Sequence, residues 1–172
     1  MSFETLKQWL VALVREHDWL AGPVCFFLGF GEGIPVLSLL LPSSALFLGI
    51  GAVHGAAGGV FWTTWLWASI GAILGDCVTY AIGRVFKDQS VSIWPCSKRP
   101  EWLIQSRVMI RDWGALSVLG GKFLGLLRPF IPVVAGMFVM PLWKFVPASI
   151  VSSFVWAAAF LGPGYGLARL AL

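Results

Sequence analysis

GIPVLSLLLPSSALFLGIGAVHGAAGGVFWTTWLWASIGAILG, residues 33–75, separates Glu32 from Asp76 without a single Asp, Glu, Lys or Arg. A helix crosses the hydrocarbon core of a bilayer with roughly 20 apolar residues. The run is about twice that length, so the chain either crosses twice here or folds back once and crosses once. Pro35 and Pro42 interrupt its first half, whereas Trp62, Trp65 and Trp67 open a clean second half. A second uncharged run, between Lys144 and Arg169, fits one crossing. The composition agrees: 58% of residues are hydrophobic, 12% are charged and the mean hydropathy is +0.84. A soluble domain has about a quarter of its residues charged. A water-soluble fold is excluded, and the fold class is an all-α membrane protein.

Outward from that run, one domain over residues 1–172 divides into six pieces. Residues 1–18 place Phe3, Leu6, Leu10, Leu13 and Val14 near helical spacing with charges opposite, which reads as an amphipathic interfacial helix rather than a cleavable signal. Residues 19–53 form a first broken hairpin and 60–83 a spanning helix. Residues 84–112 form a loop, 113–143 a second broken hairpin and 145–170 a second spanning helix. The loop carries Arg84, Lys87, Lys98, Arg99, Arg107 and Arg111 against Asp88, Glu101 and Asp112. The positive-inside rule makes it cytoplasmic. Within it Trp102, Met109, Ile110 and Trp113 share a helical face, which predicts a second interfacial helix attracted to anionic lipid.

The order of hairpin and straight helix occurs twice, so an internal repeat is expected. Pro42 and Gly49 match Pro129 and Gly136 in spacing, and Tyr80 and Arg84 match Tyr165 and Arg169. Many transporters are inverted repeats whose broken helices meet near the midplane. The breaks are expected at Pro42, Gly125, Pro129, Pro132 and Gly136. Glycines four apart (Gly51, Gly55 and Gly59; Gly71 and Gly75; Gly121 and Gly125; Gly162 and Gly166) allow close helix packing. Packing within one chain is the first reading of that spacing, and a homodimer contact is the second.

Ionisable groups at membrane depth are costly, so each is a functional candidate. Glu32, Asp76, Lys122 and Arg128 are such groups. Asp76, Tyr80 and Arg84 line one helical stripe. Arg84 reaches the surface by snorkelling; Asp76, two turns deeper, does not. Glu32 and Asp76 are read as proton-coupling or charge-pairing groups. Lys122 and Arg128, brought together by a broken helix, suit an anionic head group such as a phosphate. Pairing of each cation with Glu32 or Asp76 is the alternative, and the two readings are compatible.

Other chemistry is not expected. The two histidines, His17 and His54, lie far apart, the three cysteines form no CxxC, and no metal or cofactor is expected. GFGEG and GPGYG follow no strand and no Gly-Lys-Ser/Thr occurs, so neither is a nucleotide loop. The basic loop, in a chain of net charge +4, is too small a patch for nucleic acid. Ser43 and Ser44 have no histidine placed as a base, so no enzyme activity is expected.

Three motifs resemble the DedA family (the SNARE-associated, or VTT, domain). GDCVTYAIGR, residues 75–84, looks like its G-D-x-x-x-Y-x-x-G-R. KFLGLLRPFIPVVAGM, residues 122–137, is similar to its R-F-x-P-x-x-R-x-x-x-P-x-x-A-G-M. Glu32, followed by Leu41-Pro42-Ser43-Ser44, resembles its Glu before L-P-G-[DE]. The resemblance implies two facing re-entrant hairpins, each followed by a spanning helix. It also implies a bacterial inner-membrane lipid translocase, of flippase or scramblase type, that moves an anionic phospholipid or undecaprenyl phosphate and often depends on proton motive force. The family's functional residues fall on Glu32 and Arg128, which match. They also fall on Ser44, where the family has an acid, and on Lys122, where it has an arginine. A proton- or ion-coupled small-solute transporter and a non-transport scaffold are the rival expectations.

Overall fold

Inside hydrocarbon every backbone polar group must find a partner within the protein, which favours helices for an apolar chain. The computed structural model describes residues 18–40, 43–86, 100–124 and 127–170, and every regular element among them is helical. A 3-10 turn at Asp18–Leu20 leads into α1 (Ala21–Glu32), α2 (Pro35–Leu40) and α3 (Ser43–Ala56). The long α4 (Phe61–Phe86) follows, then α5 (Pro100–Trp113), α6 (Ala115–Gly121), α7 (Phe130–Met137) and the long α8 (Leu142–Leu170). The interfacial helix expected before Asp18, the loop residues 87–99, Pro42 and Gly125 lie outside the described residues.

The 26 residues of α4 and the 29 of α8 reach about 39 and 44 Å, more than the roughly 30 Å of a bilayer core. Those of α1 and α3, 12 and 14 residues, reach only about 18 and 21 Å. Side-chain partners give the directions. Along α4 and α8, Trp65 Nε1 donates to the Phe154 carbonyl (2.9 Å), Ser149 Oγ donates to Asp76 Oδ2 (2.6 Å), and the Tyr80 ring stacks on Phe145 (4.4 Å). The numbers run oppositely, so the two long helices are antiparallel. Gly22 abuts the Trp67 ring, Gly29 the Ala68 carbonyl and Gly33 the Gly75 backbone, so α1 runs parallel to α4. Phe47 meets Trp156 (4.9 Å), Gly51 abuts Leu161 and Gly55 abuts Tyr165, so α3 runs parallel to α8. It follows that α1 and α3 are antiparallel arms of a hairpin.

The second half repeats the scheme with shorter arms. Here α6 packs on α8 and α7 on α4, as α1 packs on α4 and α3 on α8. In each half the first arm lies on its own long helix and the second on the other half's. The paired tyrosines obey the same rule. Tyr80 donates its hydroxyl to the Met140 carbonyl just before α8, and Tyr165 donates to the Gly59 carbonyl (2.6 Å) just before α4. Arg84 Nη1 donates to the Tyr80 oxygen (2.9 Å), and the Arg169 guanidinium lies over the Tyr165 ring (5.3 Å).

Two expected breaks are corrected. Pro132 lies in the first turn of α7, where a missing N–H breaks no helical bond. Gly136 lies inside α7, and the space its Cβ would need is filled by the Tyr80 carbonyl, so it serves packing. Pro129 is the N-cap of α7 and does mark a helix start. A helix does form in the predicted loop, as α5, but the expected face divides: α5 buries Ser106 and Ile110 and exposes Ile104, Val108 and Trp113.

Candidate functional site

Two apolar clusters divide the interior. One joins Ala21, Cys25 and Leu28 to Phe47, Ala72, Trp156 and Leu161; the other joins Tyr80 to Phe130, Val134, Phe145 and Ala148. On α4, Ala72 belongs to the first and Tyr80 to the second, with Asp76 between them. On α8, Ala148 belongs to the second and Trp156 to the first, with Ser149, Ser152 and Ser153 between them. A polar layer therefore crosses both long helices between the two clusters. Glu32, Asp76, Lys122 and Arg128 all lie in it, each no more than 5% exposed.

Asp76 faces inward from α4 and Lys122 forms the C-cap of α6, where a cation meets the negative end of the helix dipole. Lys122 Nζ stands 2.7 Å from Asp76 Oδ2. Lys122 also donates to Ser153 Oγ, Ser153 Oγ donates to the Ser149 carbonyl (2.6 Å), and Ser149 Oγ donates to Asp76. The ring of four groups joins a buried ion pair to the hydroxyls of α8.

Glu32 is the last residue of α1, where the helix dipole disfavours a carboxylate. Arg128, just ahead of α7, offsets this by donating Nη1 to Glu32 Oε2. The hairpin tip is tied to α4 beside it by Thr79 Oγ1, which donates to the Gly33 carbonyl (2.7 Å). The guanidinium carbon lies 3.8 Å from the centre of the Trp156 ring. One edge of Arg128 thus holds a carboxylate and one face rests on an indole, while its Nε and Nη2 are buried and have no hydrogen-bond partner among the described residues. Lys122 lies within electrostatic reach of Glu32 and Arg128 as well as Asp76, so the four charges form one neutral cluster.

All four predicted ionisable residues meet here. Tyr80 is buried below the layer, and Arg84 reaches the exposed end of α4. Ser44 lies in the first turn of α3, its side chain outside the described residues. Sequence reasoning passed over Trp156, Ser149, Ser153 and Thr79. The signal for three of them was available: Ser149, Ser153 and Trp156 share one helical face in a segment with few other polar groups.

The VTT domain profile matches residues 41–166. Inner membrane protein YabI of Escherichia coli (strain K12) is 31% identical over 136 residues, covering 78% of this chain and 53% of YabI. Protein DedA of the same organism is 29% identical over 161 residues, covering 91% of this chain and 73% of DedA. An uncharacterised membrane protein of Buchnera aphidicola subsp. Schizaphis graminum (strain Sg) is 28% identical over 159 residues, covering 92% of this chain and 63% of that protein. The chain thus spans between about half and two thirds of the length of several curated relatives. No solved structure matches it. A buried polar layer held between antiparallel long helices, the motifs at 75–84 and 122–137, and the profile match agree: this chain is a membrane protein of the VTT-domain, or DedA, family.

Proposed function

We propose that this chain is a lipid translocase, a transport protein rather than an enzyme, that moves an anionic phospholipid or polyprenyl phosphate across the bacterial inner membrane. The observation that carries the reading is buried Arg128, whose Nε and Nη2 have no partner among the described residues. Two donors on a rigid guanidinium fork match two oxygens of a phosphate. A buried donor without a partner costs about 1–3 kcal/mol, and an incoming phosphate removes that cost. Glu32 neutralises Arg128 while the site is empty, and Asp76 does so for Lys122. Both arms of the first hairpin are too short to cross, and they enter and leave at the end where α4 begins. In this reading they dip into the membrane from that side and carry Glu32 to its middle, with residues 84–112 on the cytoplasmic face.

The test is lipid movement in liposomes that hold the purified protein, read with a leaflet-specific reagent on fluorescent phospholipid and on polyprenyl phosphate. Wild-type protein moves at least one of them, and Arg128→Ala slows that movement about tenfold or more, as loss of a charge-assisted pair requires. Wild-type rates in Arg128→Ala sink the site assignment. No movement by folded wild-type protein sinks the lipid and turns the reading to a small solute.

A further inference from the structure

Away from the central layer, a surface cavity of about 450 Å³ opens between α5 and the end of α7. Arg107, Val108, Ile110, Arg111 and Phe138 line it. Ligand pockets commonly run from about 300 to 1,000 Å³. The Arg107 guanidinium stands 5.8 Å from the centre of the Phe138 ring, and Arg111 Nε contacts Asp112 Oδ1 (2.9 Å) with most of its side chain in the open. The walls are otherwise apolar.

The outward face of α5 beside this cavity is mixed in a way that water does not explain. Ile104, Arg107, Val108 and Arg111 follow i, i+3, i+4, i+7 spacing and share one side. Ile104 is 59% exposed and Val108 44%. The opposite side buries Ser106 and Ile110 in the protein. A helix that turns aliphatic and guanidinium groups outward together suits the boundary of a bilayer.

The depth of the cavity agrees. Gly136 packs against the Tyr80 and Arg84 backbone, so the end of α7 lies level with the end of α4. Lys144 sits over the exposed Trp143 (4.9 Å) at the start of α8, which meets α4 at that same end through Phe145. Trp, Lys and Arg at one level mark a head-group plane.

We infer that this cavity docks an anionic phospholipid of the adjoining leaflet, with its phosphodiester between Arg107 and Arg111 and its first acyl carbons against Val108 and Phe138. Charge complementarity and the apolar walls select a lipid over a free phosphate. The site is independent of Arg128 and stands or falls apart from the translocation reading.

Protein reconstituted in mixed phosphatidylcholine and phosphatidylglycerol vesicles, released in mild detergent and weighed by native mass spectrometry, reports which lipid stays bound. Wild-type protein retains phosphatidylglycerol over phosphatidylcholine. Arg107→Gln/Arg111→Gln lowers that ratio roughly tenfold, on the scale of two lipid-facing arginines. Arg107→Lys/Arg111→Lys, which keeps both charges, retains the preference. Soluble glycerol phosphate in excess does not displace the lipid. An unchanged ratio in the Gln variant overturns the site. So does equal loss in the Lys variant. Displacement by glycerol phosphate would make the ligand a soluble phosphate.

Discussion

Arg128 and Glu32 sit in a place where each would be intolerable alone. A buried ion pair gains little over an apolar replacement, but removal of one partner strands the other. Glu32→Gln therefore costs about 3–5 kcal/mol, because Arg128 stays charged at the same depth. Thermal unfolding in detergent reads this, and the double variant Glu32→Gln/Arg128→Leu recovers a good part of the loss. A fall in the double variant equal to or deeper than that of the single one would mean that the pair is not the interaction at stake. At this scale the sequence was informative about which residues matter, since a charge in an apolar run has to be there for a reason. It was uninformative about partners. Nothing in the spacing of Glu32, Asp76, Lys122 and Arg128 says that the lysine takes the aspartate, because the choice depends on where α6 and α7 dock. Trp156 escaped notice because an indole among apolar residues is ordinary until a guanidinium lies on it.

Elements meet here through missing side chains. The position a Cβ on Gly29 would take is filled by the Ala68 carbonyl, and that of Gly136 by the Tyr80 carbonyl. Neither neighbour is a flexible tip, so backbone must give way. Gly29→Ala pushes α1 off α4 and Gly136→Ala pushes α7 off α4, each with a loss on the overpacking scale of about 1–3 kcal/mol. Gly162, on α8, meets nothing within 4 Å. Gly162→Ala is accordingly neutral or stabilising by up to about 1 kcal/mol, since alanine favours the helix. Melting temperatures of the three variants in one detergent check the ranking, and a Gly162→Ala loss as large as the others would contradict it. The spacing of four that groups Gly162 and Gly166 with Gly51 and Gly55 in the sequence does not distinguish them. Only the second pair lies where another helix crosses. The two corrected breaks have the same origin: proline and glycine announce a change of some kind, and its kind depends on their place in the helix and on the neighbour.

For the whole molecule, the order of hairpin and long helix was legible in the sequence because hydropathy and proline are one-dimensional signals. The exchange of second arms between halves was not, because it is a property of contacts alone. That exchange explains why the matched tyrosines matter: each ties its own half's long helix to the turn before the other long helix. It also fixes sidedness in relative terms. With α4 and α8 antiparallel and both long enough to cross, the α3–α4 turn at Ala57 and the α7–α8 turn at Val139 lie at opposite ends of the bundle. In a background with Cys25, Cys77 and Cys96 changed to Ser, Ala57→Cys and Val139→Cys each place one thiol at an exposed turn. A maleimide that does not cross membranes labels one of them in intact spheroplasts and the other in inverted vesicles. If residues 84–112 face the cytoplasm, Val139→Cys is the one labelled in inverted vesicles, because its turn lies at the end where α4 finishes. Labelling of both from the same side would contradict the antiparallel pair itself. The reverse assignment would keep the fold and turn the whole protein over, placing the cavity of Arg107 and Arg111 on the outer leaflet.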